Sequence, residues 1–473
     1  MVLVTKGTAG GDLFPFLRIG RALKARGHEA VVVSHWYFEE YVRDAGLDFA
    51  ALNTPEELPH REDYAALDTW RRLGREGAGL TLAPSHTAAS GDGPGAAARL
   101  SIFGLKPEMG LAEFEAIGRM CREPDTVLVA NYLILFAARP VAEKLGVPYA
   151  SVFLSPGAVP TWVMGLPFFD ELYRHVGADL NRVREAVGLA PVEDWRTWLG
   201  SGDLMLGMWP DWFAPPRPED PFPVLPVGFT PDEPDGDAGE IPGAGVTEAG
   251  ERAILIAHGT SIPFTRDFFS AAAEACRLLD HPGLLVSKYE EVIPAELPAR
   301  VRWIKYAPFA GLMPRVGAVV HHGGIGTARQ ALVAGVPQLA LNVNHEGAGN
   351  IERLESLGVA ESLSASDWRP EPIAGALRRL LGSPDVRRRC AELAGRIGGA
   401  DSAGRAAELI ERLLPSRGFV PRPAPATAHT VARPRLAAVE GGEVVGRWRE
   451  RMQSLSPEQR EELARKLRSR RGR

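Results

Sequence analysis

Short apolar runs alternate with longer stretches of helical period along most of this chain. Residues 2–4 read as a buried strand, ended by Lys6 and a glycine-rich turn. Apolar residues then recur at helical spacing over 13–26, and Gly27 stands where a C-capping glycine belongs. Later strands are predicted at 30–33, 127–130 and 150–153, with an irregular stretch over roughly 55–125. A proline-rich break follows over about 210–250, and alternation then restarts. Its strands are predicted at 254–257, 284–286, 301–304, 316–321 and 338–341, with helical segments between them. Strands alternating with helices imply βαβ units and parallel sheets. The pattern predicts an α/β protein of two Rossmann-like domains facing across a cleft. Their expected bounds are 1–225 and 246–400, joined by a linker at 226–245 and followed by a helix at 401–415.

Length agrees with two domains, because 473 residues exceed one ordinary core. A 45% hydrophobic and 24% charged composition is that of a folded globular chain. The net charge of −5 argues against a general nucleic-acid binder, which needs a basic field. Cys121, Cys276 and Cys390 stand far apart, so neither a disulfide framework nor a cysteine zinc site is expected. No secretion signal and no apolar run near the roughly 20 residues of a membrane span are visible, which predicts a soluble, cytoplasmic protein. The segment 416–473 differs in being Pro/Ala-rich and then basic, and Ser456 and Gln459 form a capping box for a final helix. That helix is either a solvated terminus or a docking segment for a partner protein.

Candidate chemistry is densest at Val319-Val320-His321-His322-Gly323-Gly324-Ile325-Gly326-Thr327. A buried strand ends in two histidines, and glycines open a helix. Glycines let backbone approach a ligand closely, and a helix N-terminus offers unpaired N–H groups to a diphosphate. His322 adds a donor, and Thr327 either caps the helix or binds a phosphate oxygen. A tight strand–helix turn with a satisfied histidine is the competing account.

The wider stretch 301–353 resembles the donor-binding signature of family 1 glycosyltransferases, enzymes of the GT-B fold. The resembling pieces are Trp303-Ile304-Lys305-Tyr306-Ala307-Pro308-Phe309, the His-His-Gly-Gly run, Ala331-Leu332-Val333-Ala334-Gly335-Val336-Pro337, and Asn350 with Arg353. The resemblance implies that His322 contacts the donor diphosphate, supported by Gly324, Gly326 and Thr327, with Asn350 also on the donor side. Tyr306 takes the place of a tryptophan that stacks on the nucleobase, or else is a core residue. Gly259 and Thr260 resemble the family loop facing the donor phosphates, or form a plain turn. At the positions of a customary Asp-Gln pair that holds sugar hydroxyls stand Glu346 and Gly347. That departure hints at a deoxy-, amino- or otherwise unusual sugar, unless Glu346 is purely structural.

The run Gly7-Thr8-Ala9-Gly10-Gly11-Asp12 resembles the opening of bacterial family members acting on antibiotics, sterols and lipids, rhamnosyl transfer included. By that match Asp12 is the general base that takes the acceptor hydroxyl proton. A purely local account makes Asp12 the N-cap of the first helix. The glycines do not form GxGxxG, and the second strand ends in Ser34-His35 rather than a ribose-binding acid, which weakens an oxidoreductase reading. Trp70, Phe103, Trp162 and Phe168, with Met164 and Phe169, are expected near the acceptor site and suggest an apolar acceptor. Asp235-Gly236-Asp237 is a formal DxD, but it lies in the linker, so no metal is expected. The expected reaction is inverting transfer from a UDP- or TDP-sugar to a small natural-product acceptor, without cofactor. A catalytically decayed scaffold protein and a nucleotide-sugar epimerase are the alternatives.

Overall fold

Two parallel sheets form from short runs of Val, Ile, Leu and Ala, apolar on both faces because helices cover both sides. In the computed structural model the described residues are 1–6, 10–55, 57, 107–121, 125–131, 135–156, 169–199, 201–216, 223–229, 250–258, 266–341, 345–364 and 367–421. The first sheet contains β1 (Val2–Val4), β2 (Val31–Ser34), β3 (Asp48–Ala51), β4 (Leu128–Asn131), β5 (Tyr149–Phe153), β6 (Leu204–Gly207) and β7 (Leu225–Pro226), in the order β3-β2-β1-β4-β5-β6-β7. The second contains β8 (Ile254–Ala257), β9 (Gly283–Val286), β10 (Val301–Ile304), β11 (Ala318–His321), β12 (Gln338–Leu341) and β13 (Ala360–Leu363), in the order β10-β9-β8-β11-β12-β13. Both are doubly wound α/β sheets, and the two halves repeat one plan.

The longer helices are α1 (Gly10–Ala25), α2 (Pro107–Met120), α3 (Leu135–Leu145), α4 (Phe169–Ala186), α5 (Arg266–Leu278), α6 (Ile325–Ala334), α7 (His345–Ser356), α8 (Pro370–Gly382), α9 (Pro384–Ile397) and α10 (Ser402–Glu411). Two of their ends explain sequence signals. Gly27, at φ +90°, follows α1 in the left-handed conformation that glycine adopts without cost. After α6, Gly335 lies at φ +69°, and the Val336 N–H reaches back to the Ala331 carbonyl at 2.9 Å. This is a Schellman closure, and Pro337 then prevents the helix from resuming. The Ala-Gly-Val-Pro stretch at 334–337 is therefore a helix stop that delivers the chain into β12.

Three expectations need correction. The stretch 55–125 is not irregular throughout, since α2 occupies its end and buries Ala116 and Ile117 in the first core. The region 210–250 is not all linker. β7 pairs with β6 inside it, and Val224, Val227 and Phe229 are buried. The first helix begins at Gly10, so Asp12 lies in its first turn rather than at its N-cap.

The halves meet through one mixed apolar cluster. Phe153, Trp209, Phe213 and Phe229 from the first pack with Leu332, Leu354, Cys390 and Leu393 from the second. The last helix crosses back: Ala406, Ala407 and Ile410 of α10 join the core beneath α1. There Glu411, only 2% exposed, receives both Arg26 Nε and Nη2 at 2.8 and 2.7 Å, with His28 Nε2 at 2.7 Å. No helix among the described residues is long and apolar enough to cross a membrane.

Candidate active site

Each sheet reverses strand order once, between β1 and β4 in the first and between β8 and β11 in the second. Open α/β sheets form ligand crevices at the carboxyl ends of the strands flanking such a switch. The polar residues of interest lie there in both halves.

In the second half, His258 follows β8, while His321 ends β11 and His322 follows it. All three are buried. His258 Nε2 is 3.4 Å from Ser287 Oγ, and its ring meets Phe269 edge-on with centroids 5.3 Å apart. Burial first, and then the neighbouring His321 and His258, pushes His322 down to about 3, so it is a neutral imidazole at physiological pH. Burial likewise lowers His321 to about 4. His321 Nδ1 accepts the Gly323 N–H at 3.1 Å, which holds the first residue of the glycine turn.

The glycines have separable roles. Gly323 sits at φ +84°, and a Cβ there would come within 2.7 Å of Ile351 Cδ1. At Gly324, the N-cap of α6, a Cβ would lie 2.2 Å from His322 Nε2. The imidazole therefore rests directly on the start of the helix, in space that only a glycine leaves. Gly326 differs, since a Cβ there meets nothing within 4 Å. The N-cap of α6 is Gly324, which has no side chain to cap the helix, and a helix start presents N–H groups and a positive dipole end. Thr327 is 6% exposed in that first turn.

In the first half, Thr5 Oγ1 donates to the Asp12 carbonyl at 2.9 Å, tying the start of α1 to the end of β1. The Asp12 side chain is half-buried. Nearby, Lys6 and Glu113 form a buried ion pair. Burial, followed by the charge of Lys6, pushes His35 down to about 3, and Asn53 Nδ2 lies 2.7 Å from its Nδ1. Asn131, at the end of β4, is fully buried and donates to Thr5 Oγ1 at 3.4 Å.

The expected site residues differ in their placement. His322, Gly324, Gly326 and Thr327 come together at one helix end. Tyr306 follows β10 and is 69% exposed, so the core alternative for it fails. Asn350 is fully buried, with its amide hydrogen-bonded to Gly323 and to Ser155. Trp70, Phe103, Trp162, Met164, Phe168, Gly259, Thr260 and Asp235-Gly236-Asp237 lie outside the described residues, as does the whole tail beyond 421. Glu346 lies on α7 and Phe169 begins α4, but their side chains are outside the described set. Sequence reasoning missed Lys6, His35, Glu113 and Ser155. Lys6, His35 and Ser155 share one usable signal, a polar residue just after a buried strand, where open α/β sheets bind ligands.

The architecture is that of the GT-B fold, and its relatives mark the chain as a glycosyltransferase. Structures covering nearly the whole of their own chains superpose on it. The kitacinnamycin glycotransferase does so with TM-score 0.63 at 20% identity, covering 88% of this chain and 98% of that one. The calicheamicin glycosyltransferase CalG4 does so with TM-score 0.61 at 21% identity, covering 87% and 97%. Residues 285–413 match the family model described as "Erythromycin biosynthesis protein CIII-like, C-terminal domain". A relative spanning nearly the full length is the O-mycaminosyltylonolide 6-deoxyallosyltransferase of Streptomyces fradiae, 26% identical over 91% of this chain and 99% of its own. Glycosyltransferase GtfC of Amycolatopsis orientalis is 27% identical over 63% of this chain and 76% of its own.

Proposed function

We propose that this chain transfers a sugar, with inversion, from a nucleoside diphosphate to a hydroxyl of a small apolar natural-product acceptor. The observation that carries this reading is the glycine N-cap of α6 with the buried His322 ring against it. The donor diphosphate lies there, over Gly324 and Gly326. Neutral His322 donates a hydrogen bond, and the first-turn N–H groups of α6 take up the charge that grows as the sugar leaves. Asp12 is the base. Its carboxylate accepts the acceptor's hydroxyl proton as that oxygen attacks the anomeric carbon, and the bond to the diphosphate breaks with its electrons leaving on phosphate. Exposed Tyr306 offers an aromatic plane for the nucleobase.

The relatives narrow the chemistry. Their activities include transfer of 6-deoxyallose, rhodosamine and 2-deoxy-L-fucose, and two of the similar solved structures hold thymidine diphosphate. A TDP-activated deoxysugar is the donor class we favour, in keeping with Gly347 at the position of a customary sugar-binding glutamine. The test is a melting-temperature screen with UDP, TDP and GDP, followed by product analysis with TDP-sugars and a panel of apolar aglycones. A nucleotide held at ~100 times its dissociation constant stabilises by about 2.7 kcal/mol. TDP is expected to give the largest shift, and no shift with any of the three would sink the proposal.

A further inference from the structure

Two buried side chains from opposite halves meet beside the glycine turn. Ser155 lies just past β5 in the first half and is 1% exposed, while Asn350, on α7 of the second, is fully buried. Ser155 Oγ donates to Asn350 Oδ1 at 3.1 Å, and Asn350 Nδ2 donates to the Gly323 carbonyl at 3.2 Å. The carbonyl can only accept, so it fixes which end of the amide faces it. The oxygen end is thereby turned to Ser155, whose hydroxyl must be the donor. On its other side, the Gly323 N–H is held by His321 Nδ1. A trans peptide is planar, so a pinned Gly323 carbonyl also fixes the opposite direction of the Gly324 N–H. That N–H belongs to the start of α6.

We propose that Ser155 is a positioning residue: through Asn350 it sets the plane of the Gly323–Gly324 peptide, so that nucleotide affinity depends on how the first half is seated. The inference rests on the reading that the diphosphate lies at this turn. It adds a link in which the acceptor half tunes the donor half through one hydrogen-bonded relay. Low-dielectric surroundings make such a relay stiff, because each buried polar group has few alternative partners.

Calorimetric titration of the full chain with TDP and UDP tests it, using Ser155→Ala, Asn350→Ala and the double variant. Removing a neutral hydrogen bond of this kind is expected to weaken nucleotide binding roughly three- to tenfold. The double variant should bind no more weakly than Asn350→Ala alone, because both lesions cut the same relay. A merely structural role would lower the melting temperature and leave nucleotide affinity alone, and that result overturns the inference, as does full multiplicative addition of the two effects. If Asn350→Ala does not fold, Asn350→Asp replaces it. Its carboxylate still accepts from Ser155 but cannot donate to Gly323, so near-native affinity in that variant also overturns the relay. Failure of the unaltered protein to bind either nucleotide is a different result, which removes the donor-site reading itself.

Discussion

The two halves repeat one sheet plan, yet their switch points hold opposite chemistries. At the end of β1 the first half carries the half-buried Asp12 and a buried Lys6–Glu113 ion pair. At the end of β11 the second half carries buried imidazoles beside a helix start whose N-cap is glycine. On the proposed reading, equal folds serve different tasks. A carboxylate suits removal of a proton, whereas neutral N–H donors suit an anion that already carries its charge. Function follows the residues placed at the crevice rather than the shared architecture.

The sharpest break of this comparison is Asp12→Asn. The amide keeps the size of the side chain but cannot take up a proton. We expect kcat to fall about 10²- to 10⁴-fold, the range general-base catalysis supplies, with TDP affinity unchanged. Turnover measured by TDP release decides it, and undiminished turnover removes Asp12 as the base. His322→Ala should do the reverse. A lost hydrogen bond to a charged phosphate is worth roughly 1.5–3 kcal/mol, so TDP is expected to bind roughly ten- to a hundredfold more weakly. Unaltered affinity would separate the imidazole from the diphosphate.

Between these extremes lie the glycines, which sharpen the comparison because they separate ring placement from ligand space. Gly324→Ala puts a methyl 2.2 Å from His322 Nε2, so the ring must move. Overpacking of this sort costs about 1–3 kcal/mol, and we expect TDP affinity to fall about tenfold together with a lower melting temperature. Gly326→Ala meets nothing within 4 Å, so the melting temperature should hold while nucleotide binding weakens. Equal melting behaviour in the two variants would contradict the geometry.

What could be read from sequence follows the same division. The second half was legible because one short segment carries several local signals. A buried strand, a glycine turn and a Schellman-stopped helix are local devices with local residue signals. The first half was less so. Lys6 and Glu113 are 107 residues apart, and the helix carrying Glu113 follows a stretch without clear periodicity. Strands β3, β6, β7 and β13 went unpredicted; β3 and β13 keep their side chains partly exposed, and β7 has only two residues. The start of α1 was misplaced by three residues because it begins on glycines, which carry no helix signal of their own. Asn350 was read as a donor residue, but no spacing rule reveals that its amide faces Ser155, 195 positions away.

The smallest effect on chemistry is expected where the two halves are fastened rather than where they react. Glu411 fastens α10 beneath α1, and hydrogen bonds from Arg26 chiefly, then from His28, hold its carboxyl down to about 2. The folded state therefore favours the carboxylate, and its contribution to stability is present above the ordinary glutamate range. That contribution is lost as pH falls toward about 2. Glu411→Gln should lower the melting temperature by a few degrees near neutral pH. The difference from the unaltered protein should shrink steadily as pH falls from about 4.5 toward about 2, because the unfolded chain takes up the proton before the native carboxylate does. TDP affinity at pH 7 should stay within about twofold, since Glu411 faces α1 and not the glycine turn. A variant whose deficit grew on acidification would mean that the Arg26 contact is not what holds the last helix in place.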